Sequence, residues 1–565
     1  MTATVDTTGA LASASISREN TLAEIPLSEL NNPENDGQEN KLLPEELDDP
    51  ALEDEYPIGF RLVAILIGCI AAMFLANLDM TIVATAIPRI TDEFHSLSDV
   101  GWYGSAFFLT VASFQSTWGK VLKYFPLKAG VIGAIAVFEL GSLVCAVAPN
   151  SATLIVGRAI AGLGAGGIVA GDYTIIAFSA PPRRRTLYTS FLGITYGIAS
   201  VVGPLVGGVF TDNLTWRWCF WINLPIGSFA ALIIFLFFHT PSAAKTVEAS
   251  AWEKLLQLDF PGTFTLMGAV VCYLLALQWG GATVPWSDPK TYGLLVGFGL
   301  LMFAFALIEW KMGERAAVIP RLLRQRTVLF CSIYDAFLQG GFFLLVYYIP
   351  IYFQSIDNTS AALSGMRNLP LILSLAIFQL LTGTLTRIWA QYVPLLIVGA
   401  AVATVGAGLL WSQDIGTGAG EWIGYQILVG VGVGISIQIP VVAAQSRVPV
   451  SDLAPVTAMV IFFSTLGSAM FISAGQAVFS NTLISSLAQT APSADPLLVI
   501  GTGATSLQQV FAPDVLPGIL RAYMDGLKAA FVVAIAVLGL ATVSGVFVEW
   551  KTFESARDDE KDGDA

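Results

Sequence analysis

From Leu62 to Val548 the chain is a succession of long apolar runs separated by short polar breaks. A helix needs about 20 mostly apolar residues to cross a bilayer. By that measure the pattern predicts roughly fourteen spanning helices. The first six cover Leu62–Ile87, Val100–Leu122, Leu127–Val147, Ala152–Ala177, Leu187–Phe210 and Arg217–Phe238. Two more cover Phe260–Gly280 and Tyr292–Trp310. The last six cover Val328–Phe353, Leu369–Leu385, Val393–Trp411, Ile423–Ala444, Ala454–Phe479 and Leu527–Val548. Between the last two lies the longest predicted loop, Asn481–Tyr523, interrupted by Pro513, Asp514, Pro517 and Gly518. The expectation is an all-α polytopic membrane protein.

Composition agrees with that pattern. Of 565 residues, 55% are hydrophobic and 12% charged; soluble domains carry about 25% charged residues. The net charge of −14 belongs to the ends. Fourteen acids between Asp6 and Glu55 face only Arg18 and Lys41, and the stretch from Glu549 onward is acidic too. Tails of this composition do not fold alone. The expected division is a disordered tail over 1–60, six helices over 61–240, two helices and a linker over 241–326, six helices over 327–550 with an outer loop over 481–525, and a tail over 551–565. No basic segment followed by an apolar run opens the chain, so a cleaved leader is not expected.

The basic residues set an orientation. If the N-terminus is cytoplasmic, the inner loops and tails hold twenty-one of the 28 Lys and Arg, among them Lys120, Lys123, Lys128, Arg183–Arg185, Arg315, Arg321 and Arg387. The outer loops hold six: Arg89, Arg217, Lys290, Arg367, Arg521 and Lys528. This is the positive-inside distribution, and it requires an even number of spans. The sequons Asn213-Leu-Thr and Asn358-Thr-Ser both fall in outer loops and are candidate glycosylation sites. The five cysteines lie far apart in apolar segments and read as buried hydrophobes.

Ionisable groups inside hydrocarbon cost about 2.5–3.5 kcal/mol each on insertion scales, so those present mark a pathway or meet a partner. Asp79 lies in the first span, Glu139 in the third, Arg158 and Asp172 in the fourth, and Asp335 in the ninth. For Asp79 the readings are proton coupling or a packing hydrogen bond. For Arg158 they are a functional role or a counter-charge to Asp79. For Glu139 they are function or structural pairing. Asp172 and Asp335 contact substrate or proton if their helices line a cavity. His95 and His239 read as solvated loop residues. The fourth and fifth spans are glycine-rich, and Gly203, Pro204, Gly207 and Gly208 suit close helix packing and a pivot. The GxGxxG in the fourth span sits in an apolar helix with no strand before it, so it is no nucleotide loop, and no Walker A pattern occurs.

These segments, taken in order, carry a resemblance: LDMTIVATAIPRI, WGKVLKYFPLK, FELGSLVCAVAPNS, GRAIAGLGAGG, GPLVGGVFTDNLTWRWCFWINLPIG, LLALQWGG with PWSD, YYIPIYFQ with SGMRNLPLILS, YQILVGVGVG and GTGATSLQQVF. The chain resembles the fourteen-span drug:H⁺ antiporter branch of the major facilitator superfamily, and within it fungal toxin and multidrug efflux pumps. The resemblance implies two six-helix bundles with helices seven and eight inserted between them, a central cavity open to each side in turn, and expulsion of small amphipathic compounds driven by proton entry. It matches Arg158 and Gly162 to the fourth-helix motif whose arginine takes part in proton transfer, Asp79 to the first-helix acid of this branch, and Gly203, Pro204, Gly207 and Gly208 to the antiport motif; Glu139 joins Asp79 and Arg158 as a proton-coupling candidate as a buried acid alone. With such a cavity, Asp172 and Asp335 are read as substrate-facing acids, and Tyr347, Tyr348, Gln354, Gln438 and Gln445 as aromatics and amides that either line it or serve ordinary helix packing. The chain departs from the family in the second-to-third loop, where Gly119 to Lys128 lacks the usual acid, and at Asp172, Asp335 and Ser464.

The expected partners are protons, a small-molecule substrate and lipid, with no cofactor, no metal and no nucleic acid. The chain is expected to act as a monomer in the plasma membrane, with a vacuolar or vesicle membrane as the alternative. An importer, a siderophore carrier or a vacuolar amino-acid carrier on the same fold is the rival reading, with a channel or sensor further off. No nucleophile–base set, metal cluster or cofactor fingerprint supports an enzyme.

Overall fold

The structure, a computed structural model, describes residues 56–83, 86–94, 100–240, 247, 250–281, 284–359, 361–388, 391–502 and 507–551. The tail 1–55, His95, Lys245 and residues 552–565 lie outside these. Fourteen long helices organise the described chain: α1 Gly59–Ile82, α2 Val100–Tyr124, α3 Leu127–Ala146, α4 Ser151–Ser179, α5 Pro182–Asn213, α6 Trp218–Phe237 and α7 Phe260–Trp279. They continue as α8 Pro289–Met312, α9 Arg326–Ser355, α10 Leu369–Ile388, α11 Val393–Trp411, α12 Ala419–Ser436, α13 Leu453–Thr490 and α14 Leu516–Val546. Among the described residues, twelve helices are long and apolar enough to cross a membrane. The remaining two, α2 and α5, have 25 and 32 residues but carry more polar side chains.

Helix ends are fixed by local chemistry. Asn150 caps α4 by accepting the Thr153 N–H at 2.9 Å, and Asp288 caps α8 by accepting the Lys290 N–H at 2.8 Å. Proline occupies the first turn of α5, α7, α8, α11 and α14, where its missing N–H costs nothing. The longest helix, α13, has 38 residues and so rises about 57 Å, well beyond a hydrocarbon core of about 30 Å. It runs ten residues into the segment expected to be loop, and α14 begins at Leu516. Apolarity ends near Phe479 but helicity does not, so the sequence pattern placed the boundary too early.

Helices α1 to α6 pack among themselves, α9 to α14 do likewise, and α2 meets α13 while α5 meets α10. The inserted pair α7 and α8 packs on itself and leans on α2 and α13. Small residues set the closest approaches. A side chain at Gly141 would overlap the Ala161 backbone, and one at Gly164 would overlap the backbone of Phe138, so α3 and α4 touch main chain to main chain. All five cysteines are free. At the end opposite the basic loops, Asp414 receives hydrogen bonds from Lys528 at 2.8 Å and Arg521 at 3.0 Å. The Lys528 bond leads in holding its carboxyl below the usual range.

Gly164→Val should therefore force α3 from α4, costing about 1–3 kcal/mol or more. Gly133→Ala on the same α3, where a methyl would meet open space, should leave the melting temperature unchanged or slightly raised. Thermal unfolding of the two variants in detergent checks the contrast.

Candidate functional site

Asp79 is fully buried on α1. The Arg158 guanidinium of α4, 1% exposed, donates to Asp79 Oδ2 and, at 3.4 Å, to the Asp79 carbonyl. Arg158 Nε donates to the Tyr103 carbonyl of α2 at 2.9 Å, and its plane lies 4.5 Å from the Phe107 ring. The second Asp79 oxygen accepts from the Asn223 amide of α6 at 3.0 Å, and that amide also donates to Ser142 of α3 at 3.0 Å. Five helices thus converge on one ion pair. The counter-charge reading of Arg158 is the arrangement found; a functional role for the same pair remains compatible with it. Asn223 was not singled out in the sequence, although an amide inside the apolar stretch WINLPIG was the signal.

Asp79 faces α4 and α6, while its neighbours on α1 face α5. Asn77 donates to Thr195 Oγ1 at 3.0 Å, and Thr81 donates to the Ala199 carbonyl at 3.0 Å. One turn further along α5, a Cβ at Gly203 would overlap the Thr81 hydroxyl. Gly203 is thus needed for contact with the helix that carries Asp79. Gly207 is buried and its carbonyl accepts from Thr211 at 2.6 Å. Gly208 faces open space, so packing does not require glycine there. The side chain of Pro204 lies outside the described residues; the helix is continuous through that position.

Glu139 is one turn from Ser142 on α3. Its carboxyl packs directly on Gly227 of α6, and Oε1 has no hydrogen-bond partner. It does not join the Asp79 network.

A second group of polar residues runs from Asp172 on α4 to the contacts that α4 and α5 make with α9, α10 and Gln438. Asp172 is fully buried, neither carboxylate oxygen has a hydrogen-bond partner, and the Cys69 thiol is the polar group that faces it. Tyr173, next along α4, donates to Gln438 Oε1 at 3.0 Å, bridging the two sets of helices. Asp335 is 2% exposed with Oδ1 unpartnered, near Tyr173 and facing Ser464. Ser190 donates to the Gln379 carbonyl at 3.0 Å and Gln379 Nε2 returns a bond to the Ser190 carbonyl at 3.2 Å. The rings of Tyr196 and Phe343 meet edge to face at 5.0 Å. Tyr173 and Gln379 were missed in the sequence, where a lone tyrosine or amide in an apolar run has no distinctive spacing.

The other expected cavity residues disperse. Tyr348 is buried and donates to Gln476 of α13 at 2.9 Å, while Tyr347 is exposed. Gln354 donates to Ser364 at 2.8 Å at one end of the bundle, and Gln445 donates to Thr457 at 2.8 Å at the other. These four do not gather around Gln438. Asn213 and Asn358 are both exposed, Asn358 with a left-handed φ of 51°. His239 is exposed as expected.

The basic end holds a network the sequence concealed. Lys123 of α2 pairs with Asp452, at the start of α13, at 2.6 Å, and Arg321 joins Asp452 at 2.8 Å. The acid missing after Gly119 is thus answered by an acid from the other set of helices.

Comparison with known proteins agrees with this architecture. The family model described as the Major Facilitator Superfamily matches residues 69–472. The chain is 50% identical over 493 residues to the MFS-type transporter thnB of Trichoderma harzianum, covering 87% of this chain and 85% of that protein. It is 43% identical over 500 residues to the MFS-type efflux pump MFS1 of Trichophyton rubrum, covering 88% and 93%. It is 41% identical over 510 residues to the efflux pump bfoC of Aspergillus brasiliensis, covering 90% of each. Among solved structures it is similar in fold to the proton:xylose symporter XylE, with TM-score 0.58, 13% identity, and coverage of 88% of this chain and 98% of that one. The human organic anion transporter MFSD10 gives 0.55 at 12% identity, covering 86% and 99%.

Removing one partner of a buried ion pair costs about 3–5 kcal/mol, because the other is left charged and unpaired. Arg158→Met should destabilise the protein by that order, and Asp79→Leu combined with Arg158→Met should recover most of it. Denaturant unfolding of the single and double variants tests this; a double variant no more stable than the single one shows that pairing is not what holds the site.

Proposed function

The chain belongs to the major facilitator superfamily, and from that premise we propose that it exports small amphipathic organic compounds, fungal secondary metabolites or drugs, in exchange for protons. That it is a membrane-embedded secondary transporter and not an enzyme follows from the family. The observation that carries the finer reading is the buried Asp79–Arg158 pair, set on the helix that Gly203 of α5 packs against.

In this reading all fourteen long helices cross the membrane. Helices within 61–240 and 327–550 rock against one another, 241–326 supplies the inserted pair, and the tails and basic loops face the cytoplasm. The membrane is the plasma membrane. Asp79 carries the proton. Neutralising it frees the Arg158 guanidinium from its counter-charge, leaving the Tyr103 and Asp79 carbonyls as its remaining hydrogen-bond acceptors. The α1–α5 stripe of Asn77, Thr81, Thr195, Ala199 and Gly203 is the surface along which that change reaches α5, which touches the other half through Ser190 and Gln379. Asp172, Asp335 and Gln438 are the substrate-facing groups, and Glu139 is a secondary carboxylate.

The relatives' printed names support export: two are called efflux pumps. The test uses sealed inside-out vesicles, an imposed acid-inside gradient, and candidate fungal metabolites. Uptake should collapse when a protonophore dissipates the gradient. Asp79→Asn should reduce gradient-driven uptake to background while the protein stays inserted and unfolds cooperatively. Gradient-driven uptake at the wild-type rate in that variant rejects Asp79 as the carrier.

A further inference from the structure

The inserted pair α7–α8 holds two acids that the transport reading does not use. Asp259 is fully buried and stands immediately before α7 in a left-handed conformation, φ 47°. Its Oδ1 accepts the Gly262 N–H at 3.0 Å, and its Oδ2 accepts the Ala317 N–H at 2.9 Å. Glu309, near the end of α8 and 5% exposed, accepts the next amide, Val318 N–H, at 2.7 Å through Oε2. Two carboxyl groups from two helices thus grip consecutive amides of the 313–319 segment.

The remaining Glu309 oxygen, Oε1, has no hydrogen-bond partner and points at Asp259. Both carboxyls converge over Gly262, where a Cβ would sit 2.5 Å from Glu309 Oε1 and 2.8 Å from Asp259 Oδ1. Two carboxylates that close on the same point in a buried site repel when both are ionised, and one proton between them turns repulsion into a bond.

The surrounding charges require the same proton. The buried cation facing the pair is Lys120 of α2, 1% exposed, which donates to the Glu314 carbonyl and, at 3.5 Å, to Gln257. The other charged groups around it are already matched. Glu314 pairs with Arg321, Arg321 and Lys123 with Asp452, and Arg315 with Glu253. Lys120 offsets one carboxylate, so the pair is neutral with its surroundings only when it carries one proton.

We propose that Asp259 and Glu309 form a proton-binding site, holding one shared proton that clasps the inserted hairpin to the 313–319 segment and, through it, to α2. The proton sits on Glu309 Oε1 and is donated to Asp259. The clasped segment reaches α2 directly, since Ser116 donates to the Ala317 carbonyl and Thr117 meets Thr263 at 3.1 Å. At its other end the hairpin is bolted to α13, where Asn481 accepts from the Trp286 indole at 3.1 Å and donates to the Gly280 carbonyl at 3.2 Å. The hairpin thus ties α2 to α13, one helix from each half. Loss of the proton at alkaline pH sets two carboxylates against each other and loosens the end on α2.

The site is independent of the transport reading and is tested without substrate. Infrared difference spectra of the purified full-length protein at neutral pH, wild type minus Glu309→Gln, should contain the carbonyl band of a protonated carboxylic acid. Wild type minus Gly262→Ala should also contain that band, because the added methyl separates the two groups and shifts or removes it in the variant. Thermal unfolding should show the wild-type melting temperature falling as pH is raised from neutral. Glu309→Gln, whose amide donates to Asp259 at any pH, should lose that slope while keeping a cooperative transition, whereas Asp79→Asn should keep it. If Glu309→Gln does not fold, Asp259→Asn is read in its place. Absence of the band from the difference spectrum, or a slope in Glu309→Gln equal to wild type, overturns the proposal.

Discussion

Hydrocarbon offers no hydrogen-bond partner, so a charge placed in it must be answered from within the protein. The Asp79–Arg158 pair is where this constraint acts most strongly. Arg158 is matched by one carboxylate, two backbone carbonyls and the faces of two aromatic rings. Asp79 is matched by Arg158 and Asn223. To deliver these groups, α1, α2, α3, α4 and α6 must each hold a particular rotation. The glycines of α3 and α4 follow from that demand, because bulkier residues would move Arg158 away from α1.

The same constraint explains which acids stand out. Asp79 is answered, as are Asp259 and Glu309 through backbone amides. Asp172, Asp335 and Glu139 are not fully answered: each keeps at least one oxygen without a hydrogen-bond partner. A buried carboxyl without a partner costs stability, which is why these three are acids that the proposed transport cycle draws on.

Sequence pattern disclosed the helices because apolar run length is a local property. The same run-length measure found α2 and α5 although they are more polar, with α5 extending several residues beyond the expected start at Leu187. It misplaced the end of α13 because the long apolar run stops before the helix does; Asn481 to Thr490 continue the helix with Leu483 and Leu487 in the core and anchor the hairpin turn through Asn481. It exposed Asp79 and Arg158 as costly but could not show that they face each other, because rotation about a helix axis is set by neighbours far away in sequence. Gln354 and Gln445 were grouped by residue type, yet they lie at opposite ends of the bundle. The ion pair between Lys123 and Asp452 spans more than 300 positions, and no motif read along the chain reports it.

Helix α2 is the element on which these features meet. Its first turn supplies the Tyr103 carbonyl that holds Arg158, and its last carries Lys120 and Lys123. Tyr103 and Lys123 are separated by about 30 Å at 1.5 Å per residue. Spatial continuity alone is not coupling; coupling needs an element with two arrangements that both sites bias. At one end, α2 bears on a pair whose net charge changes when Asp79 gains a proton. At the other, it is held to α13 by Lys123–Asp452 and to the inserted hairpin by Ser116 and Thr117. A rigid helix held at its far end by ion pairs and hydrogen bonds does not bend to follow a small shift at its near end; it stays or it releases as a unit. In the proposed cycle, that makes the contacts at the basic end the element on which a change at Asp79 would act, and it makes the inserted hairpin, fastened to both α2 and α13, part of that element.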